Sequence, residues 1–315
     1  MKNIKLIEVA SEIGAGTRGA SLGIEAIKIA ALDFMSNFFI HFPSEKIQTE
    51  NKLLYEPIES PYAKRIKGVA AVYERVCKAV ADSMKNNFFP LVLSGDHSTA
   101  GATIAGIKTA KPKSRLGVIW IDAHSDLHTP YTTPSGNMHG MPLAATINED
   151  NKECAVHELD EETTKYWNQL KTIGKIAPKV LPEDIVLISL RDFEKEEKYL
   201  IEKYGMKVIS TKEVRTKGPE NIVRAVQRYL SDCTDIYISF DVDCLDSSIS
   251  KGTGTPVNNG LREREAEDLV SKFMMMRKIC CFEITEVNPT LDKENLMAEI
   301  AFNILQRSVN ILMMN

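Results

Sequence analysis

The 315-residue sequence lacks several features that would assign it to a particular class of protein. It has no stretch of about 18 apolar residues, and its beginning has no apolar segment followed by a small-residue cleavage site. We therefore expect a cytoplasmic protein with no membrane partner. The cysteines are scattered and form no C-x-x-C pair, which argues against a disulfide framework and against a thiolate zinc site. The six are Cys77, Cys154, Cys233, Cys244, Cys280 and Cys281.

An excess of positive charge is also missing. Lys and Arg total 39 against 43 for Asp and Glu, which gives a net charge of -4. Proteins that bind a nucleic-acid backbone present a basic surface, so we expect a small-molecule partner and no nucleic acid. With 43% hydrophobic and 26% charged residues, and without a Pro/Gly/Ser-rich linker or a repeat, the chain is predicted to form one globular domain over residues 1–315.

Short β-branched apolar runs alternate with longer amphipathic stretches. In segments such as "YAKRIKGVAAVYERVCKAVADSMKNN" and "PENIVRAVQRYLSDC", apolar residues recur at helical spacing. This alternation is typical of βαβ units and predicts an α/β fold with a mainly parallel central sheet. The predicted strands are the runs "IKLIEVA", "FFPLVLSG", "LGVIWID", "IVLISLRD", "MKVIS", "IYISFDVD" and "ICCFEITEV".

One glycine motif is compatible with a different function, the binding of a dinucleotide. "GAGTRG", at residues 14 to 19, matches the G-x-G-x-x-G fingerprint of dinucleotide-binding proteins and follows the first predicted strand. The fingerprint also needs an acidic residue at the end of the second strand to hold the ribose, and this region offers only Asp33, within a helical pattern. We therefore expect a tight glycine-rich loop near the ligand crevice and no nucleotide site.

Unusual polar residues follow five of the predicted strands. The carboxyl ends of parallel strands open on the same side of a sheet, and ligands bind there. We therefore expect these side chains to meet in one crevice. They are His97, Asp122, His124, Asp126, Arg191, Asp192, Asp241, Asp243 and Glu286.

The spacing within this set favours a metal site. In extended backbone, residues i, i+2 and i+4 share a face, so Asp122, His124 and Asp126 can aim at one point if the strand continues that far. Asp241 and Asp243 repeat the pattern, and His97 adds a second imidazole. Taken singly, Asp-x-Asp can cap a turn and His97 can start a helix. Four uncompensated carboxylates in one crevice would repel one another, whereas cations remove that cost.

The ligand types narrow the metal and its chemistry. Two imidazoles and four carboxylates are too many for one ion, and with no thiolate they favour manganese, with iron, cobalt or zinc as alternatives. Two ions about 3.5 to 4 Å apart would acidify a bridging water and supply hydroxide near neutral pH. The expected chemistry is therefore hydrolysis.

The motifs that contain these residues resemble those of a known family. "SGDHS", "DAHSD", "SGNMHG", "SFDVDCLD", "GTGTP" and "EVNPTLD" occur in the order and approximate spacing of the ureohydrolases, and most resemble the arginases within that group. The resemblance spans most of the chain. It implies a single-domain, three-layer α/β/α fold, two Mn²⁺ per chain, and hydrolysis of a guanidino compound. For an arginase the substrate is L-arginine, which metal-bound hydroxide converts to urea and L-ornithine.

The resemblance also implies roles for single residues. One ion would be held by His97, Asp122, Asp126 and Asp241, and the other by His124, Asp122, Asp241 and Asp243. The catalytic residues would be His139, Glu286 and Asp126, with His139 moving protons and Glu286 holding the guanidinium group. Thr255 would stand near that group. Without the resemblance, His139 is better interpreted as an ordinary loop histidine and Glu286 as a strand-end surface carboxylate, and Thr255 could be a simple loop hydroxyl.

Recognition of the substrate's amino-acid end is expected in the loops after the metal strands. Thr133, Ser135 and Asn137 match family positions that bind an α-carboxylate directly or through water. A retained carboxylate site favours arginine over agmatine, which has no carboxylate.

Two positions depart from the arginase pattern. His128 replaces an Asn, and Glu194 replaces an Asp. Glu194 can still pair with an α-ammonium, Glu197 is expected to assist it, and His128 can donate a hydrogen bond to a carboxylate. Cys244, at a position that is usually Gly, is expected to be a packed thiol.

Three questions stay open at the level of the sequence. The substrate could instead be formiminoglutamate, agmatine or a guanidino acid, or the chain could be a metal-binding regulatory homologue without activity. The family implies a homo-oligomer, either a trimer or a hexamer. The acidic segment at residues 148–168, which is expected at the surface, could cover the site or form a subunit contact.

Overall fold

The computed structural model describes residues 2–249 and 251–314. It contains one eight-stranded sheet, in the order β2-β1-β3-β8-β7-β4-β5-β6, and every strand pair in it is parallel. All seven strands predicted from the sequence are present. The eighth, β2, is a three-residue polar strand at the edge. The strands are β1 (Asn3–Val9), β2 (Ser44–Lys46), β3 (Phe88–Ser94), β4 (Leu116–Ile121), β5 (Ile185–Ile188), β6 (Lys207–Ile209), β7 (Asp235–Asp241) and β8 (Ile279–Thr285).

Helices cover both faces of the sheet, which confirms the predicted α/β fold class. One buried apolar cluster lies against α1, α9, α10 and α11, and a second lies against α3, α4, α5, α6 and α7. The helices are α1 (Gly23–Asp33), α2 (Phe38–His41), α3 (Ile66–Lys85), α4 (Ala100–Ala110), α5 (Pro142–Thr146), α6 (Glu161–Thr172), α7 (Lys195–Tyr204), α8 (Thr211–Lys217), α9 (Pro219–Tyr229), α10 (Glu263–Met274) and α11 (Leu296–Met314). Among the described residues, no helix is both long and apolar enough to cross a bilayer.

The apolar runs form strands because both of their faces are buried. Along β4, Val118 and Trp120 join the second cluster, whereas Ile119 and Ile121 join the first. A strand between two helical layers has no polar face, and for this reason its sequence is continuously apolar.

The strand order places the candidate residues side by side. β3, β8, β7, β4 and β5 are consecutive in the sheet. These are the five strands that the unusual polar residues follow. Their carboxyl ends therefore form one continuous edge.

The acidic segment at residues 148–168 is only partly a surface excursion. Its last part, from residue 161 onward, belongs to α6, where Trp167 is 1% exposed. Asp150 accepts hydrogen bonds from Trp167 Nε1 and from the Lys171 ammonium group. These contacts hold the segment against α6 and the body of the fold.

Candidate metal centre and active site

The loop after β4 positions the first group of candidate ligands. β4 ends at Ile121, so the extended backbone does not continue to Asp126 as the sequence pattern required. Asp126 instead has a φ of 51°, in the left-handed region, which is uncommon for an aspartate. A bend in the loop, and not the pleat of a strand, brings its carboxylate back beside that of Asp122.

His97 is the centre of the first cluster. Its Nε2 atom lies 2.8 Å from Ser239 Oγ, and its ring stacks on Trp120 with centroids 4.1 Å apart. These contacts fix the plane of the ring and turn Nδ1 toward the carboxylates. Nδ1 lies 3.1 Å from one oxygen of each of Asp122, Asp126 and Asp241.

A second cluster surrounds His124. Its Nδ1 atom lies 2.9 Å from Asp243 Oδ2 and 3.5 Å from Asp122 Oδ1. Asp122 therefore contributes to both clusters. Asp241 contacts the imidazole of the first cluster, and its Oδ1 atom accepts the backbone N–H of Asp243 in the second.

The donor set fits divalent cations. His97 Nδ1 and Asp122 Oδ2 are fully buried, yet neither has a hydrogen-bond partner within the described part of the chain. Buried polar atoms are normally satisfied, so two unsatisfied atoms that face each other at 3.1 Å indicate a position for a ligand. A hydrogen bond from His97 Nε2–H to Ser239 would leave the Nδ1 lone pair free for a metal ion.

The pKa values of the clustered carboxylates also support a cation site. Burial, followed by the neighbouring Asp243 and Asp122 carboxylates, raises the pKa of Asp241 well above its usual value. Burial and Asp122 also raise the pKa of Asp243 to about 6. These carboxylates are crowded by like charge, which bound cations would relieve.

His139 and Glu286 form a pair beside the first cluster. His139 Nδ1 lies 3.1 Å from Glu286 Oε1, which also accepts the backbone N–H of His97 at 2.9 Å. Burial lowers the pKa of His139, but the hydrogen bond to Glu286 and the charges of Glu286, Asp126 and Asp96 together outweigh burial and raise the pKa to about 9. Like Asp126, Glu286 has a left-handed backbone, with a φ of 66°.

A cavity of about 290 Å³ opens over the clusters. It is lined by 13 of the 15 residues that were assigned a catalytic, substrate-binding or metal-binding role from the sequence, and Asp122 and Glu286 are the two that do not line it. Glu286 is linked to the site by its hydrogen bonds with His139 and with the backbone N–H of His97. Asp122 contacts both His97 and His124. The lining residues from the prediction are His97, His124, Asp126, His128, Thr133, Ser135, Asn137, His139, Glu194, Glu197, Asp241, Asp243 and Thr255.

The end of the cavity away from the clusters contains the two departures from the family pattern. His128 Nε2 lies 2.9 Å from Glu194 Oε2 and 3.4 Å from Glu197 Oε2, and its Nδ1 lies 3.2 Å from Thr132 Oγ1. Glu197 is buried and is anchored by the hydroxyl of Ser125 at 2.5 Å. Burial raises the pKa of Glu197 to about 7, whereas the hydrogen bond from His128 lowers the pKa of Glu194 to about 2. His128 therefore already has protein partners at both ring nitrogens.

Some contributing residues received no role from the sequence. Ser239 orients His97 through its hydroxyl. The sequence feature that could have identified it is a serine within the otherwise apolar middle of β7, two positions before Asp241. Arg191 donates hydrogen bonds to the carbonyls of Asp243, Leu245 and Val257, and these bonds hold the loop after β7 in place.

The glycine-rich loop at residues 14 to 19 does lie at the crevice, because the His139 N–H donates to Gly14 O at 3.2 Å. Cys244 is buried, as expected of a packed thiol.

Comparisons with known proteins agree with this geometry. The model of the Arginase family matches residues 2–309. The arginase of Brevibacillus brevis is 36% identical, with 96% of each chain covered, and that of Bacillus caldovelox is 35% identical, with 97% of each covered. The crystal structure of arginase from Bacillus subtilis superposes with a TM-score of 0.80 at 33% identity, covering 98% of both chains. The chain therefore belongs to the arginase family and is a hydrolase of the ureohydrolase type.

Proposed function

We propose that this protein hydrolyses L-arginine to urea and L-ornithine at a site that holds two Mn²⁺ ions. One observation carries the proposal: a single cavity joins the His/Asp clusters to a far end that offers both hydrogen-bond donors and carboxylates. Such a cavity suits a substrate with a guanidinium group at one end and an α-amino acid at the other.

In this proposal the two clusters hold the metal. His97, Asp122, Asp126 and Asp241 would bind one ion, and His124, Asp122, Asp241 and Asp243 would bind the other. Bound together, the ions would supply Lewis acidity that lowers the pKa of a water and stabilises negative charge on the reacting carbon's substituents. Oxygen and imidazole ligands without a thiolate suit manganese.

Glu286 would orient the guanidinium group. Its Oε1 atom is occupied by the His97 N–H and by His139, which leaves Oε2 to accept a substrate N–H. His139 Nδ1 is engaged with Glu286, so Nε2 is the atom that would carry a proton to the departing amine. Asp126, beside His97, would orient the attacking water, and the Thr255 hydroxyl steadies Asp243 at 3.1 Å.

The far end of the cavity suits an α-amino acid. Thr133 Oγ1 accepts the Gly136 N–H and Ser135 Oγ accepts the Asn137 N–H, so both hydroxyl hydrogens stay available to a substrate carboxylate. Asn137 Oδ1 accepts from Lys64, which leaves the amide Nδ2 as a third donor. On the other side, Glu194 and Glu197 would receive the α-ammonium. Agmatine has no carboxylate and would leave the three donors unused.

The test is urea release by the manganese-loaded protein against L-arginine, agmatine and 4-guanidinobutyrate, with formamide or ammonia release from formiminoglutamate. Preferred turnover of L-arginine is the expected result. Preference for another compound would keep the ureohydrolase chemistry and change the proposed substrate. This alternative has a structural basis, because both ring nitrogens of His128 already have protein partners. Two bound metals per chain without any turnover would mean a regulatory homologue.

Three further features belong to the proposal because they rest on the sequence and on the family resemblance. The chain would act as one domain over residues 1–315, it would assemble as a trimer or hexamer, and it would reside in the cytoplasm. Light scattering coupled to size-exclusion chromatography tests the assembly, and cell fractionation tests the location.

A further inference from the structure

The part of the cavity wall that would contact the amino-acid end of the substrate is a single loop, here called the distal loop (residues 129–137). It has no regular helix or strand. Thr133, Ser135 and Asn137 reach the cavity from it. A loop without regular structure depends on contacts from other segments to keep its side chains in place.

Two segments that are remote in sequence hold the distal loop from outside. On one side, the Lys64 N–H donates to Gly136 O at 2.8 Å. Gly136 has a φ of 74°, and a Cβ atom there would lie 1.8 Å from the carbonyl oxygen of Pro61. On the other side, the acidic segment contributes its backbone N–H groups at Val156 and His157, which donate to Tyr131 O at 2.8 and 3.1 Å.

His157 connects the two sides. Its Nε2 atom lies 2.7 Å from the backbone oxygen of Thr133, and since a carbonyl oxygen only accepts, Nε2 carries the hydrogen. Its ring stacks on Tyr62, with centroids 3.8 Å apart and an angle of 11° between the planes. One side chain of the acidic segment therefore contacts both the distal loop and the segment before α3.

We propose that His157 is a positioning residue, which fixes the distal loop so that Thr133, Ser135 and Asn137 face the amino-acid end of the substrate. It touches the outer side of the loop, and it is not among the residues that line the cavity. This inference rests on the proposed function and assigns a role to the acidic segment: it supports substrate binding by holding the distal loop.

The position of His157 determines what its loss would change. The distal loop contacts a part of the substrate that does not react, so its contacts are the same in the ground state and the transition state. Losing such contacts raises KM and leaves kcat nearly unchanged. A general loss of folding would instead lower the amount of active enzyme, and therefore the apparent kcat.

The experiment compares His157→Ala with His157→Gln in the full-length, manganese-loaded protein. Gln keeps an N–H donor near the position of Nε2, so it is the conservative variant. We expect H157A to raise the KM for L-arginine about tenfold, which corresponds to one lost hydrogen bond, with kcat within about twofold. H157Q is expected to recover most of the KM. The matched control is His41→Ala, because His41 is an exposed histidine on α2 and does not line the cavity.

A second measurement needs no substrate. Amide hydrogen exchange at residues 131–137 should be faster in H157A and in Tyr62→Ala than in the parent, and unchanged in H41A. If L-arginine is not a substrate, the proposed function fails, and the exchange rates still test His157. An unchanged KM together with unchanged exchange in H157A would overturn the inference, as would a loss of kcat alone.

Discussion

The two ring nitrogens of His97 have separate tasks in this fold. Nδ1 faces three aspartates, and Nε2 faces the hydroxyl of Ser239. The hydrogen bond at Nε2 selects the tautomer whose Nδ1 lone pair is available for a metal ion. The ability of His97 to bind metal therefore depends on a residue that does not itself belong to the cluster.

Ser239→Ala tests this dependence. Without the hydroxyl, the His97 ring loses the partner that fixes its orientation and tautomer, and we expect the affinity for Mn²⁺ to fall about 10- to 100-fold. Activity at saturating Mn²⁺ should stay close to that of the parent. Titration of urea release with Mn²⁺ gives both values. Ser231→Ala, at an exposed serine, is the control. Equal metal affinities of parent and S239A would show that the orientation of the ring does not depend on Ser239.

His139 is predicted to act on the reaction and not on metal binding. Its Nδ1 contacts Glu286, and within the described part of the chain its side chain forms no hydrogen bond or ion pair with the six candidate ligands. We expect His139→Asn to lower kcat about 10²- to 10⁴-fold, as for the loss of a general acid, while metal content stays at the level of the parent. Kinetics and elemental analysis of the same sample measure both. A parent-like kcat would remove His139 from the mechanism.

At the scale of elements, the sequence predicted the strands well and the loop geometry poorly. Most of the seven predicted strands were visible because they are buried on both faces and are therefore mainly apolar. The edge strand β2, with the sequence "SEK", is largely exposed and carries no such signal. The left-handed backbone at Asp126 and Glu286 was also hidden, because neither residue type requires it. The role of His157 was hidden because it depends on contacts between segments far apart in sequence.

The carboxyl-terminal end of α6 provides a prediction for stability. Lys179 is buried, and its ammonium donates to Leu170 O and Lys171 O at the end of this helix. Burial lowers the pKa of Lys179 from its usual 10.5 to about 8. Between these values the unfolded chain binds a proton that the folded chain does not, so this residue makes stability rise with pH from about 8 to 10.5.

Lys179→Met removes this contribution. The free energy of unfolding of the parent, relative to K179M, should be constant below pH 7 and should rise by about 1 kcal/mol by pH 9. Urea unfolding at several pH values measures the difference. Lys165→Met, at an exposed lysine on α6, should show no such rise. A difference that falls with pH would mean that the Lys179 ammonium is stabilised, and not destabilised, by its surroundings.

At the scale of the whole molecule, the site is a product of the sheet order. Candidate ligands come from residues as far apart in sequence as His97 and Asp243, and they meet because β3, β8, β7 and β4 are neighbours. Folding therefore brings together four carboxylates that are apart, and hydrated, in the unfolded chain. The native state contains a cost that cations can remove, and the unfolded chain has no comparable site.

Metal binding should accordingly stabilise the entire fold. A ligand that binds only the native state adds about 2.7 kcal/mol at a concentration 100 times its Kd. For 315 residues, this corresponds to a rise in Tm of about 4 °C. We expect chelation of the purified protein to lower Tm by at least that amount and added Mn²⁺ to restore it, as measured by calorimetry. Asp122→Asn, which alters the aspartate shared by both clusters, should lose most of the response, and Asp232→Asn, at an exposed aspartate, should retain it. A response to Mn²⁺ of the same size in D122N and in the parent would place the stabilising ions elsewhere on the molecule.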